Sequence, residues 1–179
     1  GVQRWHVKMP AGGKSNLASD DEFIALVDSQ AVLHVMHAQN GQPGWTSPLS
    51  NQVLAAPTLT AQLILTKTID GTITALDRAS GKVRWQYEHE VPQLGLHASS
   101  AVLVANQIAY VGFSDGEVDA LNLATGERLW SQQVAEPQGF TEAQRMVDID
   151  ARLVLVSGRL YVATYQGQLA ALDPTTGKI

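Results

Sequence analysis

The chain has 179 residues, a hydrophobic fraction of 45% and a formal net charge of −5, which suits a folded domain with a sizeable core and excludes a disordered chain. Its 12 basic residues are scattered singly, so no basic stripe is offered to a phosphate backbone, which argues against nucleic acid as a partner. Cysteine is absent, which removes disulfides and thiolate metal sites yet fits reducing and oxidising compartments alike.

The opening segment GVQRWHVKMP has neither the charged nor the apolar region of a signal peptide, so compartment is not legible there. Residues 1–9 instead read as the outer strand of a sheet whose other strands are missing, because GVQRW is the tail of a phrase, Gly, three residues, Trp, that recurs later in the chain. The glycine-rich AGGKS that follows lacks the full spacing of a phosphate-binding loop and reads as a connection. Then come three segments of similar design, 17–50, 51–90 and 97–135, and a partial fourth, 150–179. Each carries a version of one phrase: VMHAQNGQPGW, ALDRASGKVRW, ALNLATGERLW and ALDPTTGKI. The shared core is Gly, three residues, Trp: Gly41 and Trp45, Gly81 and Trp85, Gly126 and Trp130, with Gly1 and Trp5 at the start and Gly177 at the end. Successive glycines from Gly1 to Gly177 are 40, 40, 45 and 51 residues apart. A period of this order with a fixed Gly and Trp predicts a propeller or a solenoid, and the propeller suits repeats this long and uneven.

Within each segment the pattern predicts four short antiparallel strands. The third shows it best: SSAVLVAN, QIAYVGFS, EVDALNL and ERLWSQQV, with Asp115-Gly116 and Ala124–Gly126 as turns. Asp115-Gly116, Asp70-Gly71 and Gln166-Gly167 are expected as two-residue type I′ hairpins. Gln30-Ala31 stands at the same place in the first segment and is the weaker turn. One helical turn is expected at Thr141–Met146, where Thr141 and Gln144 match a capping box. The fold class is therefore all-β, about four propeller blades. The repeated glycines supply left-handed turns, and Trp5, Trp45, Trp85 and Trp130 are expected to cover neighbouring blades as architecture, not as a ligand cage.

The phrase A-x-[DN]-x3-G-x3-W resembles the tryptophan-docking motif of the quinoprotein-like eight-bladed β-propellers. Two families share it: the PQQ-dependent dehydrogenases and BamB, the lipoprotein subunit of the machinery that inserts β-barrels into the bacterial outer membrane. Two inter-blade segments favour the second. VPQLGLHASSA, from Val91 to Ala101, is similar to the BamB segment Leu-x-Leu-Arg-Gly-x-Ser-Ala. GFTEAQRMVDID, from Gly139 to Asp150, is similar to the BamB segment Thr-Glu-Ile-Asp-Arg followed by Asp-x-Asp. The resemblance covers essentially the whole chain.

It implies that these two loops contact the third POTRA domain of BamA. Matched by motif, the binding residues are Leu94, Leu96, His97, Asp148 and Asp150, with Arg145 in support. Alternation lets both leucines face a partner. On residue type alone, Leu94 and Leu96 also suit blade-end caps, the lesser reading, and Asp148 and Asp150 equally suit turn formers or acceptors for loop amides. His97 stands where the family has Arg and loses a permanent bidentate charge. If it faces a carboxylate, partner affinity rises between about pH 7.5 and 6. The resemblance further implies a periplasmic location on the outer membrane through a lipid-bearing cysteine not in this chain, and unfolded barrel proteins as clients.

The rival is a PQQ enzyme. No dense acidic and amide cluster for Ca²⁺ is legible, and Asp148-x-Asp150 offers two carboxylates where Ca²⁺ takes about 6–8 oxygens. His6, His34, His37, His89 and His97 form no metal signature. The expectation is a non-enzymatic scaffold without cofactor or metal. TTGKI reads as a turn into a strand that stops short. Open blade edges would then be closed by a second chain, pairing two half-rings, or by the chain's own first strand.

Overall fold

The computed structural model describes residues 4–13, 15–91, 100–136, 147–149 and 151–179. Among them every regular element is a strand. They form three four-stranded antiparallel sheets and one three-stranded sheet, each a simple meander. The first sheet holds β1 (Ala18–Ser19), β2 (Phe23–Val27), β3 (Val32–His37) and β4 (Pro43–Pro48). The second holds β5 (Thr58–Leu59), β6 (Leu63–Lys67), β7 (Thr72–Asp77) and β8 (Val83–Glu88). The third holds β9 (Leu103–Ala105), β10 (Ile108–Gly112), β11 (Glu117–Asn122) and β12 (Arg128–Gln133). The last holds β13 (Val154–Val156), β14 (Arg159–Ala163) and β15 (Leu169–Leu172). The chain divides into two compact units, Gly1–Gln86 and Tyr87–Ile179. The helical turn expected at Thr141–Met146 lies outside the described residues.

The middle strands are the driest. Every residue of β6 is buried, and so is β7 up to Leu76. Burial at successive positions is what a sheet covered on both faces shows, and here it takes in Thr66, Lys67, Thr72 and Thr74 with the apolar residues. In the first unit Phe23, Val27, Leu33 and Val35 pack with Val53, Ile64 and Leu76. In the second, Tyr110, Val118 and Ala120 pack with Ile149, Leu153, Leu160 and Leu172. The strands β13 to β15 alternate instead, leaving Val154, Val156 and Leu169 exposed.

The repeated glycine has a second role that the turn alone does not explain. Gly81 has φ of 70°, and a Cβ built on it would lie 2.4 Å from Cε3 of Trp45. Trp45 also donates its indole N–H to the carbonyl of Arg78 at 2.9 Å. Trp5 repeats this on Gly41 and Ala38, and Trp130 on Gly177 and Pro174. Each of these tryptophans therefore lies flat on the glycine of the following sheet, where only a hydrogen fits. The Asp or Asn four residues before that glycine is a turn former. Oδ1 of Asp77 accepts from Ser80, and Asn122 and Asp173 accept from the amides of their own turns. His37 occupies that place in the first sheet; Asn40 accepts the Gln42 amide there instead.

The hairpin expectation is corrected. Gly71, Gly116 and Gly167 have positive φ, but Asp70, Asp115 and Gln166 do not, so these are not type I′ turns. The amide of Gly71 donates to Thr68 O, and that of Gly116 to Phe113 O. This is a four-residue turn ending in a left-handed glycine, the loop that goes with a G1 bulge. Asp70 stays at negative φ because its Oδ1 accepts from Thr68 Oγ1 and the Thr72 amide. Ala31 takes the left-handed place at φ 61° in the first sheet. Its turn is held by Asp28, whose Oδ1 accepts from the amides of Gln30 and Val32. Two-residue hairpins with positive φ at both positions occur elsewhere, at Asn106-Gln107 and Ser157-Gly158.

Candidate functional site

The site is built on one hairpin of the second unit, β10–β11, whose turn is Phe113–Gly116. The four chain segments that lead into and out of 92–99 and 137–146 meet on it or on one another. Going into the first loop, His89 Nε2 lies 2.7 Å from Asp115 Oδ2. Coming out of it, the Ser100 hydroxyl donates to Ile149 O at 3.0 Å. Going into the second loop, the amides of Val134 and Ala135 donate to Gly116 O, and Gln133 Nε2 donates to Asp115 O at 2.7 Å. Coming out of it, the amide of Ile149 donates to Phe113 O at 3.1 Å. Ile149 is so close to the strand that a Cβ on Gly112 would lie 2.4 Å from its Cγ2. Gly112 is thus a seat for Ile149.

β11 places Glu117 and Asp119 at alternate positions and so on one face, and the turn that precedes it carries Asp115. His89 inserts among them. Its ring is 8% exposed and stacks on Phe113, centroids 3.8 Å apart and planes 8° apart. Its Nδ1 is 3.1 Å from Asp119 Oδ2, and Glu117 Oε2 is 3.9 Å from Nε2. Asp119 is fully buried. It accepts from the Tyr87 hydroxyl at 2.6 Å and from the Ser131 hydroxyl, and Ser131 also meets Glu117. Burial disfavours the Asp119 carboxylate, but the His89, Ser131 and Tyr87 hydrogen bonds outweigh it and hold the group below its ordinary range. Burial, followed by the negative charge of Asp119 and Asp115, pushes Glu117 up. Burial and the Asp119 hydrogen bond also push Tyr87 up, so its phenol remains a donor.

Of the residues expected to bind a partner, Leu94, Leu96, His97, Arg145 and Asp150 lie outside the described residues. Asp148 is described and fully buried, with its carbonyl accepting from the Tyr165 amide at 2.9 Å. A carboxylate so placed shapes the loop exit and does not present itself to solvent. His34 and His37 separate as β3 dictates: His34 binds Asp28 at 2.8 Å, and His37 lies against the Phe23 ring. The His89 cluster is absent from the sequence reading. Its one signal is the string D-G-E-V-D, which puts a turn carboxylate and two same-face strand carboxylates close together.

A family model described as "Outer membrane protein assembly factor BamB" matches residues 1–179. The BamB of Yersinia pestis is 31% identical over 174 residues, covering 97% of this chain and 44% of that protein. The crystal structure of BamB from Moraxella catarrhalis superposes with a TM-score of 0.88 at 29% identity, over 94% of this chain and 52% of that one. The quinohemoprotein alcohol dehydrogenase from Comamonas testosteroni shares the blade fold, with a TM-score of 0.73, but only 18% identity. This chain spans about half the length of the BamB proteins it matches.

Proposed function

The chain belongs to the family of the outer membrane protein assembly factor BamB, and on that premise we propose that it is part of a non-enzymatic scaffold that helps assemble β-barrel proteins into the outer membrane. Its partner on this reading is the third POTRA domain of BamA, met by the loops 92–99 and 137–150. It works at the periplasmic face, tied to the membrane by a lipid anchor, and unfolded barrel proteins are its clients. One observation carries the reading. All four stems of these two loops are tied to the β10–β11 hairpin or to each other. Loops hung from a rigid scaffold are where binding residues concentrate, and fixing their stems lowers the entropy lost on association.

Within that frame Leu94 and Leu96 supply apolar contact, and His97, Arg145 and Asp150 set register and charge. Asp148 contributes through loop shape, given its burial. Immobilised POTRA domains of BamA should retain the protein. Leu94→Ala and Leu96→Ala should weaken retention without changing the melting temperature. Asp148→Ala should weaken it together with some loss of stability. A folded triple variant that is retained as well as wild type would sink the assignment of these residues. Titration with PQQ and Ca²⁺ tests the rival, and stoichiometric binding with a cofactor spectrum would replace the scaffold reading.

A further inference from the structure

We propose that His89 is a positioning residue: as an imidazolium gripped by Asp115 and Asp119, it locks the entry stem of the 92–99 loop onto the β10–β11 hairpin. This rests on the reading of that face as partner-binding, and assigns the device that holds the face ready.

The charge state follows from donors and acceptors. Nε2 faces Asp115 Oδ2 at 2.7 Å and Nδ1 faces Asp119 Oδ2 at 3.1 Å. An ionised carboxylate only accepts, so both ring nitrogens must donate, and only imidazolium has two N–H groups. Stacking on Phe113 adds a favourable cation–aromatic contact and fixes the ring plane. The surroundings agree. Burial of the ring opposes the charge, but the hydrogen bonds to Asp115 and Asp119 overcome it and raise His89 to about 9. The groups facing it come from every neighbouring element: Tyr87 on β8 just before it, Asp115 in the turn, Glu117 and Asp119 on β11. Arg128 on β12 acts on Tyr87, Asp119 and Glu117.

A divalent cation is the competing occupant, since ligand atoms of His89, Asp115 and Glu117 lie within 4.8 Å of one another. Distance decides against it. Bonds of about 2.0–2.2 Å in a tetrahedral site set neighbouring ligand atoms roughly 3.4 Å apart. The 2.7 Å between Nε2 and Asp115 is a hydrogen bond.

The position gives the cluster its consequence. His89 is the last strongly held side chain before the 92–99 loop, and the turn it grips also holds Gln133, Val134 and Ala135 at the entry to 137–146. The imidazolium thus ties the first loop's entry stem to the same turn that Gln133 and the amides of Val134 and Ala135 hold against the second. Because its pKa is raised from 6.5 to about 9, the clamp is complete below the unfolded value and is lost as pH rises through the folded one.

Proton NMR of the intact chain, with labelled histidine, reads the His89 titration directly and needs no partner. A midpoint near 9 is expected. One near 6.5 overturns the proposal. His89→Gln should stay folded by circular dichroism, and amide exchange at Ser100 and Ile149 should accelerate about tenfold, the effect of losing a buried charged hydrogen bond. Affinity for the BamA POTRA domains should fall by a similar factor. His89→Arg keeps the charge and two donors, and should recover part of both. Unchanged exchange in His89→Gln refutes the clamp. If wild type shows slow exchange and the raised midpoint but binds no POTRA domain, the partner reading fails and the clamp stands. One equivalent of Zn²⁺ bound by wild type and not by His89→Gln would overturn the proton in favour of a metal.

Discussion

Gly81→Ala tests the reason for the repeated glycine. Its new Cβ would meet Trp45 Cε3 at 2.4 Å and Cδ2 at 2.7 Å, where ordinary contact begins at 3.4 Å. The ring must therefore retreat by about 1 Å. It is not free to do so, because its N–H is bonded to Arg78 O at 2.9 Å. Overpacking costs about 1–3 kcal/mol, and the strained hydrogen bond about 0.5–1.5. The left-handed backbone adds about 1–2, and the stiffer unfolded chain returns about 0.4–1. The expected loss is about 3 kcal/mol. Gly158→Ala is the comparison: its φ is also 70°, but nothing lies within 4 Å of the added Cβ, so about 1 kcal/mol is expected. Urea unfolding followed by tryptophan fluorescence measures both. Gly81 and Trp45 belong to one compact unit, so a cycle with Trp45→Leu isolates the ring contact, with a coupling of about 2 kcal/mol. If Gly81→Ala costs no more than Gly158→Ala, or the cycle shows no coupling, the glycine serves only its turn and the docking argument is wrong.

Ala31 sits at φ 61° where the other sheets have glycine. Ala31→Gly should stabilise by up to about 1 kcal/mol, relief of strain exceeding added chain entropy, and a destabilised variant in urea would contradict this. Arg78 donates to Asp20 at 2.7 Å and to Thr60 O, and lies over the Phe23 ring. Its hydrogen bond holds the Asp20 carboxyl down at about 2, from 3.8. Asp20 therefore stabilises above its unfolded value and loses that contribution as pH falls toward 2. Asp20→Asn should flatten that part of the acid limb in a melting-temperature profile, and an unchanged limb would refute the pairing. Leu169 is 74% exposed, on the same face of its sheet as Val154 and Val156, with β14 between them. Leu169→Ser should lessen concentration-dependent association in sedimentation; identical profiles would show that this patch does not drive contact.

How far the sequence could be read depended on whether the physics was local. Glycine, three residues and tryptophan made the sheets countable because each phrase fixes a turn and a strand together. The covering of a neighbouring sheet by Trp45 was legible as well, but not that its ring rests on Gly81, because that contact joins two repeats. The hairpins show the limit more sharply. Asp-Gly serves both a two-residue loop and a four-residue turn with a left-handed glycine, and what selects between them is a side-chain acceptor. Asp70 binds Thr68 and Thr72, which keeps aspartate right-handed and leaves the positive φ to Gly71. Asn106-Gln107 reached the two-residue form although glutamine is a poor resident, because the pairing of Ala105 with Ile108 leaves no room for more.

The candidate site divides along the same line. Its loop motifs were legible as short strings, whereas its frame was not. His89 meets Asp115 across 26 residues, and no spacing rule links them. Three carboxylates within five residues, one in a turn and two on the strand that follows, do make a demand that can be read in one dimension: so much negative charge at a partly buried place needs a cation or a proton. Of the four described histidines, His89 is the one that meets these carboxylates. The closeness of Asp115, Glu117 and Asp119 in sequence thus signals that a cation or a proton must offset their charge, and the fold decides that His89 supplies the cation.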